Sequence, residues 1–161
     1  MSSLRSAARS GFTFVEILIV VAILALLAAI ALPQFTGDKE EGKAAAMVSS
    51  LSVLRTAIDS YWTQHDKFPG QGGALELADQ LIKSTNKAGS TGAGTGFGYG
   101  PYLRNGKLPI NPLTGTSTVR VVTAMPTEPA GTEAWIYAST TGEVRCNVTG
   151  KTVDGVDYFS F

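Results

Sequence analysis

The sequence predicts an α+β protein, in which the first half of a long N-terminal α-helix spans a membrane and the second half packs on a small C-terminal antiparallel β-sheet. Three observations support this fold class. An almost unbroken apolar run covers residues 12–32, an apolar stripe with helical spacing lies within residues 33–66, and short β-type segments end the chain. We therefore expect a leader over residues 1–11, a transmembrane helix over 12–32, its amphipathic continuation over 33–66, and a C-terminal domain over 67–161.

The apolar run contains two residues that are not apolar, Thr13 and Glu16. At about 1.5 Å per residue the run would extend about 31 Å as a helix, which matches the hydrocarbon core of one bilayer. A carboxylate at the centre of such a helix costs about 2.5–3.5 kcal/mol, and less towards its end. Glu16 is therefore expected to have a cationic partner.

The leader indicates which cation that is. It carries Arg5 and Arg9, has no acidic residue, and ends at Gly11. Cleavage after Gly11 would leave Phe12 with a free amine, which is largely cationic near neutral pH. Residues four apart lie on one helix face, and in staggered neighbouring helices the amine of one subunit can also meet Glu16 of the next. We therefore predict that Glu16 serves assembly.

The segment from Gly11 to Leu24 resembles the leader junction and first helix of type IV pilins and type II secretion major pseudopilins. The likeness consists of a Gly-Phe junction, a glutamate five residues after it and an apolar helix. It implies that a prepilin peptidase cleaves after Gly11 and methylates the amine of Phe12, and that Glu16 is the assembly carboxylate. In such proteins a proline at the place of Pro33 kinks or loosens the helix.

The resemblance also implies partners and location. The chain would polymerise with other pilin or pseudopilin subunits on an inner-membrane assembly platform, with its C-terminal domain in the periplasm or outside the cell. The orientation depends on the resemblance, because Arg5 and Arg9 before the run are matched by Lys39 and Lys43 after it. A net charge of zero and a pI near 6.6 argue against a nucleic-acid partner.

Two alternatives treat the N-terminus differently. An ordinary signal peptidase could cleave near Ala29 and Ala31 and release a secreted binding domain that starts near Leu32. The second alternative is a plain single-pass membrane anchor in which the presence of Glu16 is incidental. Within the filament interpretation, a pseudopilus is favoured over a surface pilus. Many type IV pilins have a C-terminal disulfide, which the lone Cys146 cannot form, and residues 108–115 resemble the Leu-Pro-x-x-Pro turn of major pseudopilins. Cys146 itself is expected to be a small packed residue.

The remaining elements follow from periodicity and turn residues. The stripe predicts a helix that ends near His65, before Pro69 and Gly70. A short helix is expected over 74–83, a rigid turn over 108–115, and a hairpin turn at Thr141 and Gly142. The stripe consists of Met47, Leu51, Leu54, Ile58, Tyr61 and Trp62, and the predicted strands cover 118–123, 134–138, 143–148 and 156–161.

The sequence offers little for catalysis or cofactors. His65 is the single histidine and is expected at the surface, so that no histidine-based zinc cluster or nucleophile-base pair can be assembled. The glycines of residues 89–100 lack the dinucleotide-binding spacing and are expected to form a flexible surface loop. Asp154 and Asp157 are weak candidates for calcium, and Asn147 begins a weak glycosylation sequon. We therefore predict a structural protein without a cofactor.

Overall fold

The computed structural model describes residues 11–161, and for residues 30–38 it describes the backbone but not the side chains. All of the expected leader except Gly11 therefore lies outside the described residues. The chain divides into two compact units, one ending at Asp38 and the other comprising Lys39–Phe161. The two units are described separately below.

The elements make the protein α+β, as predicted. They are, in chain order, the helices α1 (Phe14–His65) and α2 (Ala74–Ile82), the strands β1 (Val119–Val122), β2 (Trp135–Ala138) and β3 (Val144–Cys146), and a 3-10 helix (Tyr158–Ser160).

In the first unit, the apolar side chains at the start of α1 are exposed. Phe12 and Phe14 are 77% and 81% exposed, and the other large apolar side chains up to Leu27 are at least half-exposed or close to it. Over the described residues, no helix combines the length and the apolar character needed to cross a membrane. The described part of this unit therefore presents an apolar surface that its own residues do not bury.

In the second unit, the predicted stripe of α1 forms the centre of the core. Leu54 and Ile58 are 2% and 1% exposed, and Met47, Leu51 and Tyr61 are fully buried. These five side chains belong to one hydrophobic cluster, which also contains Trp135 and Tyr137 of β2 and Val144 and Cys146 of β3. The second half of the helix therefore shares its core with the sheet, as the apolar periodicity predicted.

Trp62 is the member of the stripe that was predicted wrongly. It is 48% exposed and stacks on Phe68, with 6.1 Å between ring centroids. Tyr61 takes the inward position, and successive residues of a helix are rotated by about 100° from each other. Because the side chain of Tyr61 points into the core, the side chain of Trp62 points away from the centre of the core and is partly exposed.

The helix ends where the sequence predicted. The last helical residue is His65, and Asp66 has a left-handed φ of 57°. The N–H of Asp66 donates to the main-chain oxygen of Trp62 at 2.8 Å, which satisfies one of the free carbonyls of the last turn. The second helix, α2, lies within one residue of its predicted range.

The sheet is mixed, which corrects the prediction of an antiparallel sheet. Strand order is β1-β2-β3. The β2–β3 pair is antiparallel, with Trp135 opposite Cys146, but the β1–β2 pair is parallel, with Val119 opposite Trp135. Residues 123–134 connect β1 to β2, and a connection of about a dozen residues is long enough for the chain to cross over and run parallel.

The predicted strand over residues 156–161 is also wrong. The chain forms a 3-10 helix there instead, and the adjacent side chains of Tyr158 and Phe159 are both buried. The N–H of Ser160 donates to the main-chain oxygen of Asp157 at 3.0 Å, and this bond between residues three apart is typical of a 3-10 helix and not of a strand.

The predicted turns are confirmed. The N–H of Gly142 donates to the main-chain oxygen of Ala138 at 2.9 Å and closes the hairpin between β2 and β3. Gly142 has a φ of 74°, and a side chain there would collide with the ring of Phe68. In the turn over 108–115, Asn111 forms a bridge with Thr116.

Candidate functional site

The junction between Gly11 and Phe12 lies in a segment without regular structure, directly before α1. A side chain added at Gly11 would meet no described atom within 4 Å, and Phe12 is exposed. The described residues therefore do not require a glycine at this position for packing. A requirement for glycine would have to come from a molecule that binds the junction.

Glu16 caps its own helix together with Thr13. The N–H of Glu16 donates to the hydroxyl oxygen of Thr13 at 3.2 Å, and the N–H of Thr13 donates to Glu16 Oε2 at 3.5 Å. This reciprocal arrangement is a capping box. The spacing Thr13-x-x-Glu16 is its sequence signature, so this cap could have been predicted from the sequence. Glu16 also lies in the first turn, where a negative charge is favourable to the helix dipole.

Pro33 lies within α1, and the helical backbone continues through it. The helix therefore continues past this proline, which is what the sequence predicted. Its side chain lies outside the described residues, and the expected kink remains a prediction.

His65 corrects another expectation, because it is only 5% exposed. Its ring stacks on Tyr61 with 4.1 Å between centroids. Nδ1 lies 3.2 Å from the main-chain oxygen of Lys87, and Nε2 lies 3.0 Å from both the Thr85 hydroxyl and the Tyr102 hydroxyl. The loop that follows α2 folds over the end of α1, which a search for local patterns does not detect.

Several other hydrogen bonds hold the same loop. Lys87 Nζ donates to the main-chain oxygen of Gln64 at 2.7 Å and to Asp66 Oδ2 at 3.0 Å. Gln80 Nε2 donates to the main-chain oxygen of Gly89 at 3.0 Å. The start of the glycine-rich loop is therefore attached to both helices of the second unit, and its expected flexibility stays a prediction.

The two calcium candidates lie in an exposed turn near the C-terminus. The carboxylate of Asp157 is 3.9 Å from the ammonium group of Lys151, and Gly155, next to Asp154, has a φ of 80°. No group of three His, Cys, Asp or Glu side chains that could hold a metal occurs among residues 11–161 as described. Calcium prefers six to eight oxygens, so a site here would depend on main-chain carbonyls and on displacement of the lysine.

Cys146 and Asn147 both have packing roles. The Cys146 thiol is buried, and this burial raises its pKa, while Asn111 Nδ2 donates to its sulfur at 3.3 Å. The amide of Asn147 donates to the main-chain oxygens of Ala130 and Glu133, both at 2.9 Å. The thiol is thus an unreactive core group, and the nitrogen that glycosylation would modify is already used inside the fold.

Comparisons with known proteins match the N-terminal segment and, for some relatives, about two thirds of the chain. A family model described as the prokaryotic N-terminal methylation motif matches residues 6–32. The chain is 30% identical to the type II secretion system core protein G of Aeromonas hydrophila over 65% of this chain and 67% of that protein. For the protein of the same name from Pseudomonas aeruginosa, the identity is 30%, over 65% and 68% of the two chains.

A pilin is also among the relatives. The type IV major pilin protein PilA of Myxococcus xanthus is 40% identical over 44% of this chain and 32% of its own length. Some other core proteins G are matched over about half of their length or less. No solved structure matches the chain significantly.

Proposed function

This chain belongs to the family of type IV pilins and type II secretion pseudopilins, and we propose that it is a structural subunit of a type II secretion pseudopilus. The observation that carries the proposal is the combination, in one N-terminal segment, of an accessible Gly11–Phe12 junction, the carboxylate of Glu16 and an exposed apolar helix. Exposed apolar side chains of this kind are stabilised by burial. In the membrane they are buried by lipid, and in the filament they are buried by other subunits.

Residues 12–32 cross the inner membrane once, and the unit Lys39–Phe161 lies on the periplasmic side. This placement is supported by the apolar run itself and by the exposure of its side chains up to Leu27. The stripe of the second unit does not need lipid or another subunit to bury it, because Leu51, Leu54 and Ile58 already lie in the core of that unit. The two parts of the helix thus have different partners.

A prepilin peptidase cleaves after Gly11 and methylates the new amine of Phe12. The support is the match of residues 6–32 to the methylation motif and the open space around Gly11. Methylation keeps the amine basic, so that Phe12 carries a positive charge at the membrane surface. Glu16 lies close to that charge along the chain.

In the filament, Glu16 pairs with the methylated ammonium group of Phe12 on a neighbouring subunit. The two opposite charges neutralise each other inside an apolar environment, where either one alone would be costly. The pairing also fixes the axial offset between neighbours, because it joins residue 16 of one helix to residue 12 of the next. Lateral packing of the apolar helices supplies the remaining attraction.

A pseudopilus is favoured over a surface pilus for two reasons. The relatives matched over about two thirds of their length are type II secretion core proteins G. In addition, Cys146 is single and buried, so the domain has no disulfide of its own.

Mass spectrometry of the N-terminus tests the proposal. The full-length chain is produced in a bacterium with a type II secretion system, and the protein is isolated from its membranes. We expect a mature chain that starts at Phe12 with a methylated amine. A mature chain that starts near Leu32 would instead indicate a secreted binding domain, and an intact N-terminus would indicate a plain anchor.

A further inference from the structure

We propose that residues 86–90 form a strap that opens while the rest of the second unit stays folded, and that the buried hydroxyl of Tyr61 favours the open state. The strap follows α2 in the chain and includes the start of the glycine-rich loop. In its closed state it lies over the end of α1. The strap belongs to the second unit alone and does not depend on the proposed role in a filament.

The Tyr61 hydroxyl is a buried polar group without a partner. The side chain of Tyr61 is fully buried, and its hydroxyl forms no hydrogen bond with the described residues. A hydroxyl that loses water without gaining a partner destabilises the conformation in which it is buried. This cost favours any conformation of the second unit in which water reaches the hydroxyl.

Gly89 of the strap lies directly against the Tyr61 hydroxyl. A Cβ atom added at Gly89 would lie 2.3 Å from Tyr61 Oη, and Gly89 has a φ of 85°. The main chain of the strap therefore covers the hydroxyl without offering it a hydrogen bond. When the strap lifts, this contact is lost and the hydroxyl becomes hydrated.

Hydrogen bonds from both helical ends hold the strap closed. Gln80 Nε2 donates to the main-chain oxygen of Gly89 at 3.0 Å, and Lys67 Nζ donates to that of Ala88. Lys87 Nζ reaches back to the end of α1. The bonds of Lys67 and Lys87 are exposed, so water replaces them when the strap lifts, and no strap residue belongs to the described hydrophobic cluster. Opening the strap therefore breaks polar contacts and leaves the apolar core intact.

The chain on either side of the strap is fixed separately. The N–H of Thr85 donates to the main-chain oxygen of Tyr99 at 2.9 Å, and the N–H of Gly92 donates to that of Ser84 at 3.0 Å. Thr85 is also fully buried. The strap is thus a short segment between two fixed ends, and segments with few apolar contacts are the ones that open locally.

Tryptic cleavage after Lys87 measures the opening, because the protease reaches this bond in the open state. The full-length chain in detergent micelles is treated with trypsin under native conditions, and the fragments are identified by mass. Tyr61→Phe removes the unpaired hydroxyl and keeps the ring. We expect cleavage after Lys87 to slow about tenfold in this variant, which corresponds to one buried hydroxyl that no longer gains water on opening.

Two references accompany this measurement. Tyr99→Phe removes a hydroxyl from a partly exposed tyrosine near the strap and should leave cleavage after Lys87 unchanged. Cleavage after the exposed Arg104 should be the same in all chains. Equal rates of cleavage after Lys87 in the parent chain and in Tyr61→Phe would overturn the proposal.

Urea separates opening of the strap from global unfolding. Opening of a short segment exposes little surface, so cleavage after Lys87 should hardly change with urea well below the midpoint of unfolding. A cleavage rate that rises with urea as steeply as global unfolding does would show that the strap does not open by itself.

Gly89→Ala tests the contact from the other side. The added methyl group collides with Tyr61 Oη, and the φ of 85° is unfavourable for alanine, so cleavage after Lys87 should accelerate roughly fivefold or more. In the Tyr61→Phe background the collision with Oη is absent, and the acceleration should be smaller. Equal acceleration in both backgrounds would contradict the contact between Gly89 and the hydroxyl on which the strap mechanism depends.

Discussion

Arg55 of α1 donates a hydrogen bond from Nη2 to the main-chain oxygen of Val144 in β3, at 3.1 Å and across 89 positions of the sequence. It therefore joins the long helix to the strand at one edge of the sheet. Val144 also belongs to the hydrophobic cluster of the stripe, so the bond lies beside those apolar contacts, and we expect it to stabilise the packing of the sheet on the helix.

The first prediction concerns this bond. Arg55→Met keeps most of the apolar stem of the side chain and removes the guanidinium group. We expect the free energy of unfolding of the chain 39–161 to fall by about 1–2 kcal/mol, because a partly buried carbonyl loses a charged donor. Urea denaturation measures this change. The exposed Arg104 provides the control Arg104→Met, and an equal effect of both substitutions would contradict a specific role for Arg55.

The second prediction concerns the core beneath that bond. Leu54→Ala and Ile58→Ala should each lower the free energy of unfolding of the chain 39–161 by about 2–5 kcal/mol, because each leaves a cavity among fully buried side chains. Val53→Ala is the matched control, since Val53 is half-exposed on the same helix. Unchanged urea midpoints for Leu54→Ala and Ile58→Ala would show that the stripe contacts other subunits instead of its own sheet.

The third prediction concerns alkaline pH. Burial, with smaller contributions from Tyr102 and Glu76, raises the pKa of Tyr61 from 10.0 to about 12, and burial also raises the pKa of Tyr137. Because the folded state holds these phenol protons more tightly than the unfolded state, their stabilising contribution is complete below about pH 10. The contribution of Tyr61 is lost as the pH rises through about 12, and that of Tyr137 is lost at higher pH.

Urea denaturation of the chain 39–161 as a function of pH tests this effect. The stability of the parent chain should start to fall near pH 10, and that of Tyr61→Phe should fall less. At neutral pH, Tyr61→Phe should cost little, because the Tyr61 hydroxyl has no hydrogen-bond partner among the described residues. Identical alkaline losses in the two chains would contradict the assignment to Tyr61.

The fourth prediction concerns processing. Gly11→Val should leave the full-length precursor uncleaved in the membrane, whereas Gly11→Ala should be cleaved in part. The described residues leave open space at Gly11, so any effect must arise where the peptidase binds. Precursor and mature chain are separated by size on a blot. Gly42→Ala, at another exposed glycine, should be cleaved normally, and normal cleavage of Gly11→Val would place the cleavage site elsewhere.

Much of the fold could be predicted from local sequence signals. The end of α1 at His65 and the turn at Gly142 depend on nearby residues, so the sequence encodes them directly. The parallel pairing of β1 with β2 could not be predicted, because a strand of four residues carries no signal for the direction of its partner. The burial of His65 depends on a loop that returns from far along the chain.

The candidate site shows the same division. Gly11, Phe12 and Glu16 were predicted as site residues from their types and spacing and from the resemblance to prepilins, and their roles in cleavage, methylation and charge pairing stay predictions. The role of Thr13 was missed although its spacing to Glu16 is a recognised helix-start signal.

The central claim is that the charge of Glu16 joins neighbouring subunits, and Glu16→Gln in the full-length chain tests it most directly. This substitution retains the capping box and removes only the charge, so insertion and cleavage should be normal. Filaments should fall at least tenfold, because each contact would bury an ammonium group without its partner, at a cost of several kcal/mol.

Two measurements on the same cells test this claim. They are the size of the processed chain on a blot and the amount of sheared filament. Glu128→Gln, an exposed residue of the second unit, is the control and should leave both unchanged. Mature Glu16→Gln without filaments is the result that we predict. Mature Glu16→Gln with normal filaments would show that helix packing alone drives assembly, and would contradict the central claim.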